Sequence, residues 1–296
     1  MDSLWRPVDE MAMRAGPGLA HGSLIRDSYG GAVKEVSHMR HALGFTIAAL
    51  IIGIATACGG GSSQSTTQTV TVGGTTTETA TALPVGDQPL EIDPAGFTTE
   101  IDNAYFPMKP GSTRIFRETD AEGAKRKVVV EVTNDTKTIM GIQTRVVHDR
   151  VTEDGQVTED TYDWYAQDSQ GSLWYLGEDT KEYENGKLKS TEGSWEAGID
   201  GALPGIIIPA DQQPGMIYRE EYYKGQAEDG AEILSVNAQA KVPYGTFDDV
   251  LQTRNFTPLE PNLVEEKFYV PGVGPVLEIT VTGGSDRTEL LTIKDS

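Results

Sequence analysis

Cysteine is nearly absent from this chain of 296 residues, which contains only one, Cys58. A single cysteine excludes a disulfide bond within the chain, a cysteine-rich zinc site and an iron–sulfur cluster. Basic residues are also scarce: the chain has 24 lysines and arginines against 45 acidic residues, which gives a formal net charge of −21. A protein that binds nucleic acid non-specifically needs a basic surface to neutralise phosphates, so this charge excludes that class.

Histidine and long apolar segments are scarce as well. After residue 57 the chain contains one histidine, His148, and one histidine without a further cysteine cannot supply the ligands of a zinc site. The apolar stretch at residues 42–57 would span ~24 Å as a helix, which is short of the ~30 Å hydrocarbon core of a membrane. An ordinary membrane-spanning helix is therefore not the favoured interpretation of this stretch.

Residues 39–57 have instead the organisation of a secretory signal. Met39-Arg40-His41 forms a cationic start, a short apolar run follows, and small residues come before Cys58. The last four residues, Ala55-Thr56-Ala57-Cys58, resemble a bacterial lipobox. The resemblance implies cleavage before Cys58, diacylglycerol on its sulfur, and acylation of the new amino terminus with a chain such as palmitate. Two or three acyl chains anchor a protein stably at the cell membrane, here on its extracytoplasmic face.

The segments on either side of this signal are not expected to fold. Residues 1–38 lack apolar periodicity, and they are either a mis-assigned start, with true initiation at Met39, or a disordered leader. Residues 58–89 are rich in glycine, serine and threonine and cannot bury enough surface to offset the entropy of ordering. We predict a disordered tether that holds the domain ~30 Å from the membrane.

Residues 90–296 are predicted to form one β-rich domain. Segments rich in β-branched and aromatic residues alternate with turn signals such as Asp154-Gly155 and Asn185-Gly186. The pattern predicts an all-β, mainly antiparallel fold: a large curved sheet, half-barrel or sandwich with few short helices. Helical turns are expected near residues 102–105 or 193–201. The predicted strands include residues 128–132, 141–151, 162–165, 173–176, 221–223, 231–242, 246–255, 264–270, 276–281 and 289–293.

Three signatures point to a family. They are Tyr105-Phe106-Pro107-Met108-Lys109-Pro110-Gly111, Val242-Pro243-Tyr244-Gly245-Thr246-Phe247 and Tyr269-Val270-Pro271-Gly272-Val273-Gly274-Pro275-Val276. Together with residues 162–193 they resemble a family of uncharacterised bacterial lipoproteins. The chain is also similar, more weakly, to the curved-sheet domains of envelope lipoprotein carriers, which hold an acyl chain on a concave face. The resemblance implies no catalytic residues.

The sequence offers little catalytic chemistry. His148 and Asp149 are neighbours, but adjacent side chains on a strand point to opposite faces, so Asp149 cannot orient His148 as in a hydrolase triad. No Gly-x-Ser-x-Gly motif supplies a nucleophile. Acidic pairs are too frequent to mark a glycosidase or calcium site. We therefore predict no catalytic residue, no metal and no cofactor.

Large aromatic residues are concentrated in the middle of the domain, at Tyr162, Trp164, Trp174, Tyr175 and Trp195. Such a cluster can line a groove for a glycan, a peptide or an acyl chain, or it can simply fill the core of a broad sheet. These five residues are the predicted ligand-binding candidates.

The sequence thus favours a non-enzymatic, membrane-anchored extracytoplasmic lipoprotein that binds an apolar ligand or an envelope component such as a protein. The alternative is a structural or interaction module without a small-molecule site. A carboxylate-dependent hydrolase is the third hypothesis.

Overall fold

The computed structural model describes residues 83–295. The predicted leader (1–38), the signal (39–57), Cys58 and most of the tether lie outside the described residues. The described residues contain a 3-10 turn at Pro94–Gly96 and strands β1 to β16, which are β1 Phe97–Thr98, β2 Thr113–Thr119, β3 Lys125–Ile139, β4 Ile142–Glu153, β5 Gln156–Asp168, β6 Leu173–Glu184, β7 Lys187–Ser190, β8 Trp195–Glu196, β9 Leu203–Ile208, β10 Ile217–Arg219, β11 Glu221–Tyr222, β12 Gly230–Val242, β13 Gly245–Phe256, β14 Val264–Val270, β15 Gly274–Thr282 and β16 Arg287–Lys294.

These strands form one antiparallel sheet. Its order is β10-β12-β13-β14-β15-β16-β2-β3-β4-β5-β6-β9-β11, with β1 paired to β5 and both β7 and β8 paired to β6. The pairing of β16 with β2 joins the second run of hairpins to the first. The predicted all-β, mainly antiparallel curved sheet is confirmed. The helical turns expected at 102–105 and 193–201 did not form, and Pro94–Gly96 is the one helical element within residues 83–295.

The sheet curves until its two ends nearly meet. β10 and β11 stand at opposite ends of the strand order, yet only Glu220 separates them along the chain. We call the line between β10 and the β9–β11 pair the seam. The backbones approach closely there, because a Cβ added to Gly205 would lie 2.0 Å from the carbonyl oxygen of Glu220. Only glycine allows this approach.

The segment that enters the domain packs against the seam. The backbone N–H of Arg219 donates to the carbonyl of Pro84 over 2.7 Å. The Nη1 atom of Arg219 donates to the carbonyls of Gly86 and Gln88 over 2.6 and 2.8 Å. Packing contacts therefore extend into the last residues of the predicted tether.

Alternation of apolar and polar residues explains the strands and places the core. In β3 every second residue of the range 128–132 is buried, and each of these is a valine. At one end of the curved sheet, Phe106 from the loop between β1 and β2 packs between Tyr165 and Tyr269, with ring centroids 6.2 and 6.3 Å away. Because Tyr165 lies on β5 and Tyr269 on β14, this contact joins the two halves of the sheet across its interior.

Candidate functional site

The five predicted ligand-binding aromatics are mostly enclosed. Trp164, Trp174, Tyr175 and Trp195 expose 7% of their surface or less, and Tyr162 is half-buried. They do not share one face of the sheet, since neighbours along a strand point in opposite directions. The structure therefore divides the sequence cluster between the outer and the enclosed side.

Two of the tryptophans are covered on the outer side. The Lys137 ammonium lies 3.2 Å from the ring centroid of Trp164, a cation–π contact. Trp174 donates from Nε1 to Asp168 Oδ2 over 2.8 Å and meets the ring of Phe97 edge-on at 5.8 Å. Both rings thus stabilise the packing of neighbouring segments on the sheet.

Tyr175 and Trp195 belong to a buried polar network. The Tyr175 hydroxyl donates to Asp163 Oδ1 at 2.7 Å and lies 3.2 Å from Glu178 Oε2. Trp195 donates from Nε1 to Glu221 Oε2 at 2.7 Å. The two rings contact each other edge-on at 5.5 Å. A ligand-binding role for the five aromatics stays a prediction, and their contacts in the structure are those of packing and hydrogen bonding.

The enclosed face of the sheet carries many carboxyl groups around this network. Burial raises the pKa of Asp163 to about 7, against the hydrogen bond from Tyr175. Burial also raises the pKa of Glu221 well above its usual value, and nearby Asp229 and Glu178 raise it further. Desolvation disfavours the charged form, so Asp163 is partly protonated near neutral pH and Glu221 holds its proton more tightly than an exposed glutamate does. Reasoning from the sequence missed this network, because acidic residues were assigned to the surface.

His148 lies on the outer face, where it is held by a residue of the next strand. Its Nε2 atom is 2.7 Å from Asp160 Oδ1, and its ring stacks on Tyr162 with centroids 4.3 Å apart. Asp149 points to the enclosed side and is 2% exposed, as expected for a strand neighbour. Sequence reasoning did not single out Asp160, because that partner depends on the pairing of β4 with β5.

Asp160 is the centre of a small set of charged contacts. Arg150 donates from Nε to Asp160 Oδ1 over 3.1 Å, on the same atom that His148 approaches. Burial opposes ionisation of Asp160, but the hydrogen bonds from His148 and Arg150 outweigh it and hold the pKa of Asp160 below its usual value. Asp160 is therefore a fixed, ionised carboxylate on the outer surface.

A groove opens beside Asp160 on this outer face. It has a volume of about 560 Å³ and is lined by Arg150, Gln156, Val157, Asp160, Tyr183, Asn185 and Gly186. We call it the outer groove. Its volume falls within the range of small-molecule sites.

Two tight hairpins build the walls of the outer groove. Asp154-Gly155 joins β4 to β5 with φ values of +50° and +80°, and Asn185-Gly186 joins β6 to β7 with φ values of +54° and +71°. Two consecutive residues with positive φ make the turn that suits the twist of hairpins. Both turns were predicted from the sequence, and Gln156 and Asn185, at the ends of these turns, both line the groove.

The part of the chain that the structure describes holds neither a candidate metal cluster nor a membrane-spanning helix. Within residues 83–295, no three histidine, cysteine or acidic side chains are arranged to hold a metal ion. Across the same residues, no helix has the length and apolar character needed to cross a membrane.

Comparison with known proteins gives a fold likeness and little more. No protein-family model matches the chain, and no curated protein matches it. A protein from Bacteroides fragilis, thought to be exported and described with a YmcC-like fold, is 15% identical, with a TM-score of 0.41 over 64% of this chain and 99% of its own. A protein from Parabacteroides distasonis, thought to be a lipoprotein, is 13% identical, with a TM-score of 0.37 over 65% and 99%. Likenesses at this level carry no argument about function.

Proposed function

We propose that the chain is a lipid-anchored extracytoplasmic protein that binds a component of the cell envelope in the outer groove and does not catalyse a reaction on it. The observation that carries the binding role is the groove itself, an accessible concavity whose hydrogen-bonding side chains project from two rigid hairpins. Five of its seven lining residues carry hydrogen-bonding side chains, which favours a component with polar groups over the purely apolar ligand predicted at the aromatic residues.

A non-enzymatic role agrees with the way the carboxylates are used. Asp160 Oδ1 is occupied by both His148 and Arg150, so the ion pair that resembles catalytic machinery is engaged internally. Asp163 and Glu221 are at most 1% exposed. A general acid or base must reach the proton of a bound substrate, and these buried groups have no access to one.

The anchoring part of the proposal depends on Cys58. The full chain, expressed in a bacterium and fed a radiolabelled fatty acid, should incorporate label and fractionate with membranes. A Cys58→Ser variant should lose both properties, because the acyl chains have no sulfur to join. A Ser62→Ala variant in the same segment is the matched control. Label in the Cys58→Ser protein would overturn the anchor.

The binding part is tested with envelope material. The purified full chain is mixed with a washed, membrane-free envelope fraction from the organism that produces it, and the sedimenting protein is measured. Wild type should sediment, and a Gln156→Ala/Asn185→Gly double variant should sediment at least about tenfold less. Asn185→Gly keeps the positive φ of the turn. Tyr244→Ala, an exposed residue outside the groove, is the control. Equal sedimentation of wild type and the double variant would exclude the groove.

A further inference from the structure

We infer that the outer groove binds an uncharged saccharide, an inference that rests on the proposed function and names its ligand. The lining combines the three elements that a polyhydroxylated ligand needs: an aromatic ring, planar amide groups, and a fixed ion pair. These are supplied by Tyr183, by Gln156 and Asn185, and by Arg150 with Asp160.

Charge balance selects against ionic ligands. Arg150 and Asp160 are the two charged residues that line the groove, and they pair with each other. Their charges cancel, whereas the whole chain carries −21. An anionic polymer would be repelled by the rest of the surface. A cationic ligand would find acidic residues elsewhere but no unbalanced carboxylate in the groove. The local chemistry is that of a neutral site on an acidic protein.

The groove has unused hydrogen-bonding capacity. Among residues 83–295, no hydrogen bond reaches the side chain of Gln156 or Asn185, and both residues are exposed. Each amide offers two donors and one carbonyl acceptor in a plane. Arg150 donates to Asp160 through Nε, its Nη2 lies 3.5 Å from His148 Nε2, and its side chain is 48% exposed. Planar groups of this kind can bond two adjacent hydroxyl groups of a sugar ring at once.

Tyr183 supplies the apolar surface that the ligand class requires. It is half-buried at the end of β6, one residue before the last position of the strand, and its ring forms part of the groove wall. A sugar ring carries C–H groups on one face and hydroxyls at its edge, so it can cover a tyrosine ring while its hydroxyls reach the amides. An acyl chain would leave those amides unpaired, at a cost in binding free energy.

Neighbouring side chains hold the ion pair of the outer groove in place. Asp160 is fixed by Arg150 and by His148, whose ring is stacked nearly parallel on Tyr162 at 1°. A fixed lining loses little conformational entropy on binding, which favours recognition of a weakly interacting ligand. Of the five aromatic residues predicted from the sequence, Tyr162 thus contacts the groove indirectly, through His148 and Asp160.

The test uses matched tetrasaccharides of different charge. The full chain, in a detergent without a sugar headgroup, is titrated by calorimetry at physiological salt with cellotetraose, maltotetraose and chitotetraose, which are neutral. Tetragalacturonate and the fully deacetylated chitosan tetramer provide an anionic and a cationic comparison. We expect saturable binding of at least one neutral tetrasaccharide and weaker or undetectable binding of the charged ones.

Substitutions of groove residues test whether the saccharide binds in the outer groove. Tyr183→Ala and Gln156→Ala should each weaken binding of the neutral ligand, Tyr183→Ala by at least about tenfold. Tyr183→Phe should retain most of the affinity, since it keeps the ring. Tyr244→Ala should have no effect. Circular dichroism of every variant separates loss of binding from loss of fold, and Gln156→Ala, on an exposed residue, keeps the test valid if Tyr183→Ala does not fold.

The outcomes separate this inference from the proposed function. Failure of all neutral tetrasaccharides, or groove-dependent preference for a charged one, would overturn the saccharide. If envelope material still sediments the wild type but not the groove variant, the binding role stands with a different ligand. Loss of that sedimentation after protease treatment of the envelope would identify the ligand as a protein and contradict the saccharide. Equal sedimentation of wild type and groove variant contradicts both.

Discussion

Arg219 donates two hydrogen bonds to one carbonyl oxygen, that of Pro204, over 3.1 Å from Nε and 2.9 Å from Nη2. Because Arg219 is in β10 and Pro204 in β9, these bonds cross the seam between the two ends of the sheet. The guanidinium is 1% exposed and also bonds the entering segment. One side chain therefore joins three parts of the chain that are distant in sequence.

Replacing Arg219 should weaken the whole domain. Arg219→Lys keeps the charge but loses the planar fork, so several buried carbonyls lose donors and the free energy of unfolding should fall by about 3 kcal/mol or more. Arg254→Lys, at an exposed ion pair with Glu232, should change it by less than about 0.5 kcal/mol. Chemical denaturation measures both. Equal effects would show that the seam contributes little to stability.

The buried carboxyl groups should make the protein more stable in mild acid. The pKa of Asp163 is about 7 in the folded chain, against ~3.9 for an unfolded aspartate. Between these values the folded state binds more protons than the unfolded state, so stability falls as pH rises through this window. The melting temperature should be higher at pH 5 than at pH 8.

Asp163→Asn isolates this contribution. The amide keeps an acceptor for the Tyr175 hydroxyl and does not ionise, so it should reduce the loss of melting temperature between pH 5 and pH 8. Asp160→Asn is the opposite control: the pKa of Asp160 is lowered in the folded state, so its contribution to stability is present at neutral pH and lost as pH falls. An unchanged pH profile in Asp163→Asn would refute the assignment.

Gly177 should not tolerate a side chain. Its φ is +129°, and an added Cβ would lie 2.3 Å from the carbonyl oxygen of Trp195, where β8 pairs with β6. Gly177→Ala should therefore reduce the free energy of unfolding by about 3 kcal/mol or prevent folding. Gly155→Ala, at φ +80° with no atom within 4 Å, should cost about 1 kcal/mol. Similar losses in the two variants would contradict this expectation, because they would mean that β8 moves away from the added Cβ at little cost.

Substitution of Trp164 tests whether this residue belongs to the core or to a ligand-binding site. Its ring is 6% exposed and covered by Lys137, so Trp164→Ala should cost about 3–5 kcal/mol in free energy of unfolding. Leu188→Ala, at a residue that is 56% exposed, should stay within about 0.5 kcal/mol. Thermal or chemical unfolding measures the loss in both variants. A small loss at Trp164 together with reduced ligand binding would favour the alternative, a binding residue.

Much of the fold could be predicted because hydrophobic alternation and turn pairs are local. The last five predicted strands correspond to β12 to β16, and the Asn185-Gly186 turn joins β6 to β7. β9 was not predicted, and its Gly205 lies at the seam, where close approach requires glycine. β2 was missed because two of its three buried residues, Arg114 and Glu118, are charged.

The candidate site could be predicted less well, since it depends on which strands pair and in what register. His148 meets Asp160 only because β4 and β5 pair with a bulge between Val151 and Thr152. Tyr183 and Gln156 line the same groove only because β6 follows β5 in the sheet. Asp163 and Glu221 illustrate the other failure: composition assigns carboxylates to the surface, and only a closed sheet can bury them together.

The attachment of Gly86 and Gln88 to Arg219 has a mechanical consequence. If the chain is anchored at Cys58, as proposed, any force between the membrane and the domain reaches Arg219 first through its backbone bond to Pro84 and then through these two carbonyls. Through its hydrogen bond to Pro204, Arg219 transmits this force across the seam. The force is therefore shared by both ends of the sheet and does not act on one edge strand alone. The domain would resist traction through a single buried guanidinium.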